Sequence, residues 1–247
     1  EKVNAEVNAE YADCEAVITH GFVSETEDGE PTVLGRGGSD YTASLIGMAV
    51  GATRIEIWTD VDGVKTADPR KVEGTRSLER ISFEEAAEMA HFGAKVLHPM
   101  TIEPAVRKNI PIYVLNSMNP DGKGTVILQN SKIDDGVKSV SSKENILVIN
   151  IFSTKMINAA GFLMSVFEIF SRNNVSVDLI STSEANISVT VDASQDIDKV
   201  IEELSSFAEV YVDRDKAQVS VIGKNLDNVT GILEKTFAPL RDYKIYM

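Results

Sequence analysis

The stretch from residue 34 to residue 70 constrains this chain most. Leu34-Gly35-Arg36-Gly37-Gly38-Ser39-Asp40 is a glycine-rich turn carrying one arginine, and a helix follows it to about Val50, with apolar Leu45, Ile46, Met48 and Ala49. Ser39 is expected to cap that helix, and Gly51 suits the position just past its end. Residues 54–58 then form a strand that runs into Thr59-Asp60, while residues 15–23 are expected to be a short buried strand before the turn. Strand, glycine loop, helix, strand is the grammar of an α/β sheet, and the carboxyl ends of such strands are where these sheets hold ligands.

The same grammar continues. Asp28-Gly29 and Asp62-Gly63 are hairpin-type turns. Ser82 caps a helix over residues 83–92 whose first turn holds Glu84 and Glu85, expected as a solvated start favoured by the helix dipole. A helix over 101–108 and strands over 112–115 and 125–128 follow. Residues 129–144 are polar and turn-rich and are expected to be a linker. Beyond it come strand 145–152, helix 162–170, strands 175–180 and 187–191, helix 197–207 and strand 209–212. This βαββαβ order makes a ferredoxin-like unit. A strand over 218–222 and a helix over 226–237 begin what looks like a second copy.

Composition excludes several classes of function. The net charge of −14 argues against nucleic acid and anionic membrane surfaces as partners. One cysteine, Cys14, permits no intrachain disulfide, and with three histidines a Cys/His zinc site is not expected. No apolar run reaches membrane-spanning length and no signal peptide opens the chain, so a reducing cytoplasm is the expected location. The start at Glu1 without methionine, and a strand that is only beginning at residues 243–247, suggest a fragment.

The candidate residues have a chemical logic. A planar guanidinium at Arg36 can clamp a carboxylate through two hydrogen bonds. Gly35, Gly37 and Gly38 let the backbone approach a ligand, Ser39 offers a hydroxyl at a helix start, and Asp40 can pair with an ammonium group. The plain alternative is a turn with its cap; the arginine and the acid tip the balance toward a site. Asp68-Pro69-Arg70 is either a turn with an exposed arginine or a phosphate contact. Lys95 either snorkels to solvent or faces a ligand. His91 and His98 are expected to be structural. Residues 156–161 lead from a strand to a helix N-terminus able to hold a carboxylate, with residues 176–178 and 183–184 at strand edges facing it.

Four motifs, in order, resemble the aspartokinases: residues 34–43, Trp58-Thr59-Asp60-Val61-Asp62-Gly63-Val64, Thr66-Ala67-Asp68-Pro69-Arg70, and Phe92-Gly93-Ala94-Lys95-Val96-Leu97-His98-Pro99. The resemblance covers nearly the whole chain. It implies the C-terminal part of an amino-acid-kinase α/β sandwich over 1–130, a linker over 131–144, and ferredoxin-like ACT modules over 145–247, the second incomplete. It implies phosphoryl transfer from ATP to the side-chain carboxylate of L-aspartate, giving 4-phospho-L-aspartate, under feedback by an amino acid, lysine ahead of threonine. Arg36, Ser39 and Asp40 would then hold aspartate. Thr59, Asp60, Lys65, Arg70, Lys95 and Val96 would line the ATP pocket, although several relatives carry tyrosine where Lys65 stands. Met156, Ala159, Phe162, Leu163, Ser176, Val177, Asp178, Ser183 and Glu184 would contact the effector, with Asp178 or Glu184 answering its cation.

ATP with Mg²⁺ is the implied cofactor pair, with no metal ligand and no catalytic residue assigned. A homodimer through the ACT region is implied as well. The family's opening lysine and phosphate loop are missing, so the chain alone is expected to be inactive. The rival readings are an amino-acid sensor with a non-catalytic kinase remnant, and an amino-acid kinase acting on another substrate such as glutamate.

Overall fold

Alternating side chains build the first sheet. In β3 (Ile55–Thr59) Ile55 and Ile57 point inward while Trp58 faces out, and in β5 (Ile112–Asn116) Ile112 and Val114 are fully buried. The computed structural model describes residues 11, 13–91, 97–129, 135–157 and 159–243, which form two units, Glu1–Ser141 with Ser220–Lys235 and Ser142–Val219 with Thr236–Met247.

The first unit opens with an antiparallel hairpin of β1 (Val23–Glu25) and β2 (Pro31–Val33), followed by α1 (Gly38–Val50) and β3. After β4 (Arg80–Ser82) come α2 (Phe83–His91), α3 (Pro99–Lys108), β5 and β6 (Thr125–Leu128). The sheet order is β3-β5-β6-β4, with β3 parallel to β5, β4 parallel to β6, and β5 antiparallel to β6. Phe83, Ala86 and Met89 of α2 and Ile102 and Ala105 of α3 close the core over this sheet. Helix α1 packs on α3 and comes close to β3, where a Cβ on Gly47 would lie 2.7 Å from Ile55 Cγ1. The buried Thr125 hydroxyl ties three segments together: it accepts from Val64 N–H at 2.8 Å and donates to the Leu78 carbonyl at 2.5 Å.

Three expectations for this unit are corrected. Residues 15–20 form no strand and are exposed, and β1 pairs only with β2 among the described residues, so nothing there buries the segment. Ser39 is not the cap of α1; Gly37 holds that position in a left-handed conformation (φ 73°), with no side-chain cap. Glu85 is buried rather than solvated: its carboxylate accepts from Ser82 N–H at 2.9 Å while Ser82 Oγ accepts from Glu85 N–H at 3.0 Å. This reciprocal capping box makes Ser82 a true cap. Ser82→Ala is expected to lower stability by about 1 kcal/mol, measured by urea denaturation.

The second unit has the βαββαβ order, the first six residues of β7 and the last five of β10 belonging to the first unit: β7 (Gly136–Phe152), α4 (Phe162–Arg172), β8 (Ile180–Thr182), β9 (Asn186–Asp192), α5 (Asp198–Ser205) and β10 (Glu209–Lys224). Sheet order is β10-β7-β9-β8, with β7 and β8 both antiparallel to β9. Leu147, Ile149 and Ile151 of β7 and Ile187, Val189 and Val191 of β9 face Val166, Ile169 and Phe170 of α4 and Val200 and Leu204 of α5.

Residues 136–144 are the start of β7, not a linker. That half-strand buries Ser139 and Ser141 and exposes Val137 and Val140, inverting the pattern by which a strand is recognised. The expected second copy also differs: residues 218–222 continue β10 without a break, and among the described residues only the short α6 (Ile232–Phe237) follows as α-helix. Strand β8 begins later than expected, with Val175 buried ahead of it.

Candidate functional site

Two helix–strand pairs converge on one end of the first unit. Helix α1 returns through the four residues after Val50 into β3, so its N-terminus lies at the end of the sheet where β3 finishes. Helix α3 returns in the same way into β5, and β5 runs parallel to β3. Both helix N-termini and both strand carboxyl ends therefore share one edge, which brings the positive ends of two helix dipoles together.

The glycine turn forms one side of this edge. A Cβ on Gly37 would lie 2.5 Å from His98 Cβ, so the turn rests directly on the N-cap of α3. Thr42 Oγ1 donates to Gly38 O at 2.8 Å and accepts from Phe22 N–H at 3.1 Å, pinning the turn from behind. Arg36 and Ser39 are exposed and Asp40 is half-buried. Burial pushes the Asp40 carboxyl above the ordinary aspartate value, and the charge of nearby His98 draws it back. Arg36, Ser39 and Asp40 are thus gathered at the start of α1. His98, expected to be structural, does cap α3, its Nδ1 accepting from Met100 N–H at 3.4 Å, yet it also belongs to the electrostatic surroundings of Asp40. The spacing of fifty-odd residues gave no signal of that meeting.

The strand ends form the other side. Thr59 Oγ1 donates to Asp60 Oδ1 at 3.2 Å, and the Thr59 carbonyl accepts from Ser117 N–H at 2.8 Å and from Ser117 Oγ at 2.9 Å. Asn116 Nδ2 donates to Asp62 Oδ1 at 2.7 Å, and with Asn119 it holds the Asp62 carboxyl below its usual range. Asp62 is therefore more than a turn residue: it ties the loop after β3 to the loop after β5. Asn116 and Ser117 were missed in the sequence because nothing local marks them; only the parallel pairing of β3 with β5 sets them beside Thr59.

The basic residues differ in availability. Lys65 Nζ donates to Ser77 Oγ at 2.9 Å and lies 3.9 Å from Asp62. Arg70 is clamped by Asp68 through Nε at 2.9 Å and Nη2 at 2.8 Å, and those hydrogen bonds hold the Asp68 carboxyl down at about 2. Among the described residues no hydrogen bond or ion pair occupies the Arg36 guanidinium. Lys95 and Val96 lie outside the described residues. Among the described residues no group of three or more His, Cys, Asp or Glu is placed to hold a metal ion.

In the second unit the expected effector residues fall into two sets. Ser153 N–H meets the Ala185 carbonyl and Ser183 N–H meets Asn186 O, so Met156, Ala159, Phe162, Leu163, Ser183 and Glu184 gather at one end of the sheet. Asp178 N–H bonds Thr190 O near the other end of β9, and Ser176 is held there by Gln195 through 2.6 and 2.9 Å bonds. About 16 Å of extended chain separates Asp178 from Ser183. Phe162 packs edge-on against Phe207, 5.7 Å between centroids, and is partly buried against the core of this unit.

The amino acid kinase family matches residues 3–116 and the ACT domain matches residues 149–206. Lysine-sensitive aspartokinase 3 of Escherichia coli is 40% identical over 239 residues, which are 94% of this chain and 53% of that protein. The chloroplastic aspartokinase 3 of Arabidopsis thaliana is 44% identical over 220 residues, 85% of this chain and 39% of that protein. The structure of E. coli aspartokinase III in complex with aspartate and ADP (R-state) superposes with a TM-score of 0.87 at 39% identity, covering 98% of this chain and 57% of that one. The same enzyme in complex with lysine and aspartate (T-state) gives 0.77 at 40% identity, with the same coverage. The chain thus spans about half the length of the E. coli relative. An amino-acid-kinase segment with two helix N-termini and two strand ends at one edge, followed by an ACT unit, is what this chain has in common with the aspartokinases, to which it is similar over nearly its whole length.

Proposed function

We propose that this chain supplies the aspartate-gripping and part of the nucleotide-binding surface of an enzyme that moves a phosphoryl group from ATP to the side-chain carboxylate of L-aspartate. The observation that carries this reading is the shared edge of α1, α3, β3 and β5. Phosphoryl transfer needs two anions brought together in line with their charge offset, and little covalent work from the protein. Arg36 clamps a substrate carboxylate, Ser39 adds a hydroxyl, and half-buried Asp40 answers the α-ammonium group. Thr59, Asp60 and Lys65 meet the nucleotide across the strand ends, with Lys95 and Val96 in the same role. Arg70 reaches phosphate only by leaving Asp68. Mg²⁺ travels with the nucleotide, held by phosphates and water.

Residues 1–130 serve this chemistry and 145–247 regulate it, with lysine as the effector. A lysine complex of the E. coli relative supports that choice. The divided effector set favours a homodimer. β8 is an edge strand. Antiparallel pairing of two β8 edges would carry Ser176, Val177 and Asp178 of one copy toward Met156, Phe162, Ser183 and Glu184 of the other. A cytoplasmic enzyme fits this reading; among the described residues no helix is long and apolar enough to cross a membrane.

Aspartate-dependent ADP release tests the proposal. The 247-residue chain alone is expected to release none, and the chain joined to the part of the E. coli relative outside the match is expected to turn over. Turnover by the chain alone would refute the division of labour. Lysine binding without turnover by the joined protein would favour a sensor with a non-catalytic remnant.

A further inference from the structure

Asp178, one of the two carboxylates expected to answer the effector's cation, already holds one. Lys143, in the first half of β7, reaches past the end of β9 and places Nζ 2.6 Å from Asp178 Oδ2. The Asp178 side chain is only 9% exposed. A carboxylate that far from water needs a cation, because desolvation of the lone charge is costly. The same ammonium lies 3.7 Å from Asp192 Oδ2, and Asp192 is the more exposed of the two acids. Asp192 is itself held in place by the backbone N–H and the hydroxyl of Ser194, at 2.9 and 2.6 Å. Lys143 therefore has two anchors in reach: a buried one and an open one.

We infer that Lys143 is a tethered stand-in for the side-chain ammonium of the amino-acid effector, resting on Asp178 until the effector displaces it toward Asp192. This rests on the effector reading of Asp178 given above. The buried carboxylate keeps one compensating cation throughout, and the exchange swaps an internal ammonium for an external one. Effector affinity is then set by the difference between two similar ion pairs, not by the full strength of one. A lysine at 143 weakens binding of a cationic effector, and an acid at 192 restores part of it by receiving the displaced side chain.

Calorimetric titration of the 247-residue chain with L-lysine, and with L-norleucine as the analogue lacking the side-chain ammonium, tests this. Lys143→Met is expected to tighten L-lysine binding about tenfold and to leave L-norleucine unchanged. Asp192→Asn, an isosteric change at a half-exposed position, is expected to weaken L-lysine about threefold. Unchanged or weaker L-lysine binding in Lys143→Met, equal tightening of both ligands, or no effect of Asp192→Asn would overturn the inference while leaving the effector reading intact. Should Lys143→Met not fold, the Asp192→Asn result decides alone. L-lysine binding to neither the parent chain nor the variants would remove the effector reading and this inference together.

Discussion

Arg36→Ala is expected to lower kcat/KM for aspartate by about 10²–10³ in the joined enzyme, with Asp40→Asn losing a similar factor. The loss corresponds to about 3–4 kcal/mol, the scale of a two-point charge-assisted contact in a partly desolvated site. The structure separates Arg36 from Arg70. Arg70 is already spent on Asp68, whereas the Arg36 guanidinium stands exposed with no partner among the described residues. Arg70→Ala should therefore act on KM for ATP and leave aspartate dependence nearly unchanged. Lys123→Ala, which breaks only an exposed pair with Glu79, should change neither. Steady-state kinetics with each substrate varied in turn makes the comparison. Undiminished aspartate efficiency in the Arg36→Ala, Asp40→Asn double variant would defeat the site assignment.

Gly124→Ala is expected to destabilise the first unit by about 4 kcal/mol or more. Gly124 sits at φ 60°, where a Cβ costs about 1 kcal/mol by itself. The larger cost is steric: the added Cβ would stand 2.2 Å from the Val114 carbonyl oxygen and 2.9 Å from Leu115 Cδ2. A backbone carbonyl of the central strand cannot yield as a side-chain tip can. β5 and β6 would have to separate where they pair at Val114 and Thr125. That disturbs the Thr125 hydroxyl, which satisfies Val64 and Leu78 in the core. Gly51→Ala gives the control, since it is left-handed too but has open space where the Cβ would go. Thermal denaturation should show a small loss for Gly51→Ala and a far larger one for Gly124→Ala; equal losses would mean that conformation, and not the clash, governs.

Much of the local architecture was legible because short-range patterns carry it. The helix after the glycine turn, its end at Gly51, the Ser82 cap and the βαββαβ order each follow from residues within a few positions of one another. Failures came where a neighbour distant in sequence sets the outcome. Ser82 and Glu85 cap each other, but only the core packed against α2 decides that Glu85 is buried. Residues 136–144 look like a linker because their inward side chains are serines; Ser139 lies against the Lys65 carbonyl and Val140 N–H bonds the Thr66 carbonyl, and no pattern announces those partners.

The candidate site divides along the same line. Arg36, Ser39 and Asp40 share one turn, so a single motif marks them. The strands' hydrogen-bond register and the return of each helix to its strand decide that this turn shares an edge with Thr59, Asn116 and His98. Likewise the acid at 178 was visible in the sequence, whereas the lysine that occupies it, thirty-five positions earlier, was not. Local propensities act over a turn of helix or a pair of strand residues and survive in the one-dimensional string. Burial, charge pairing and the distance between groups are properties of chain segments brought together by folding, and those only the three-dimensional packing decides.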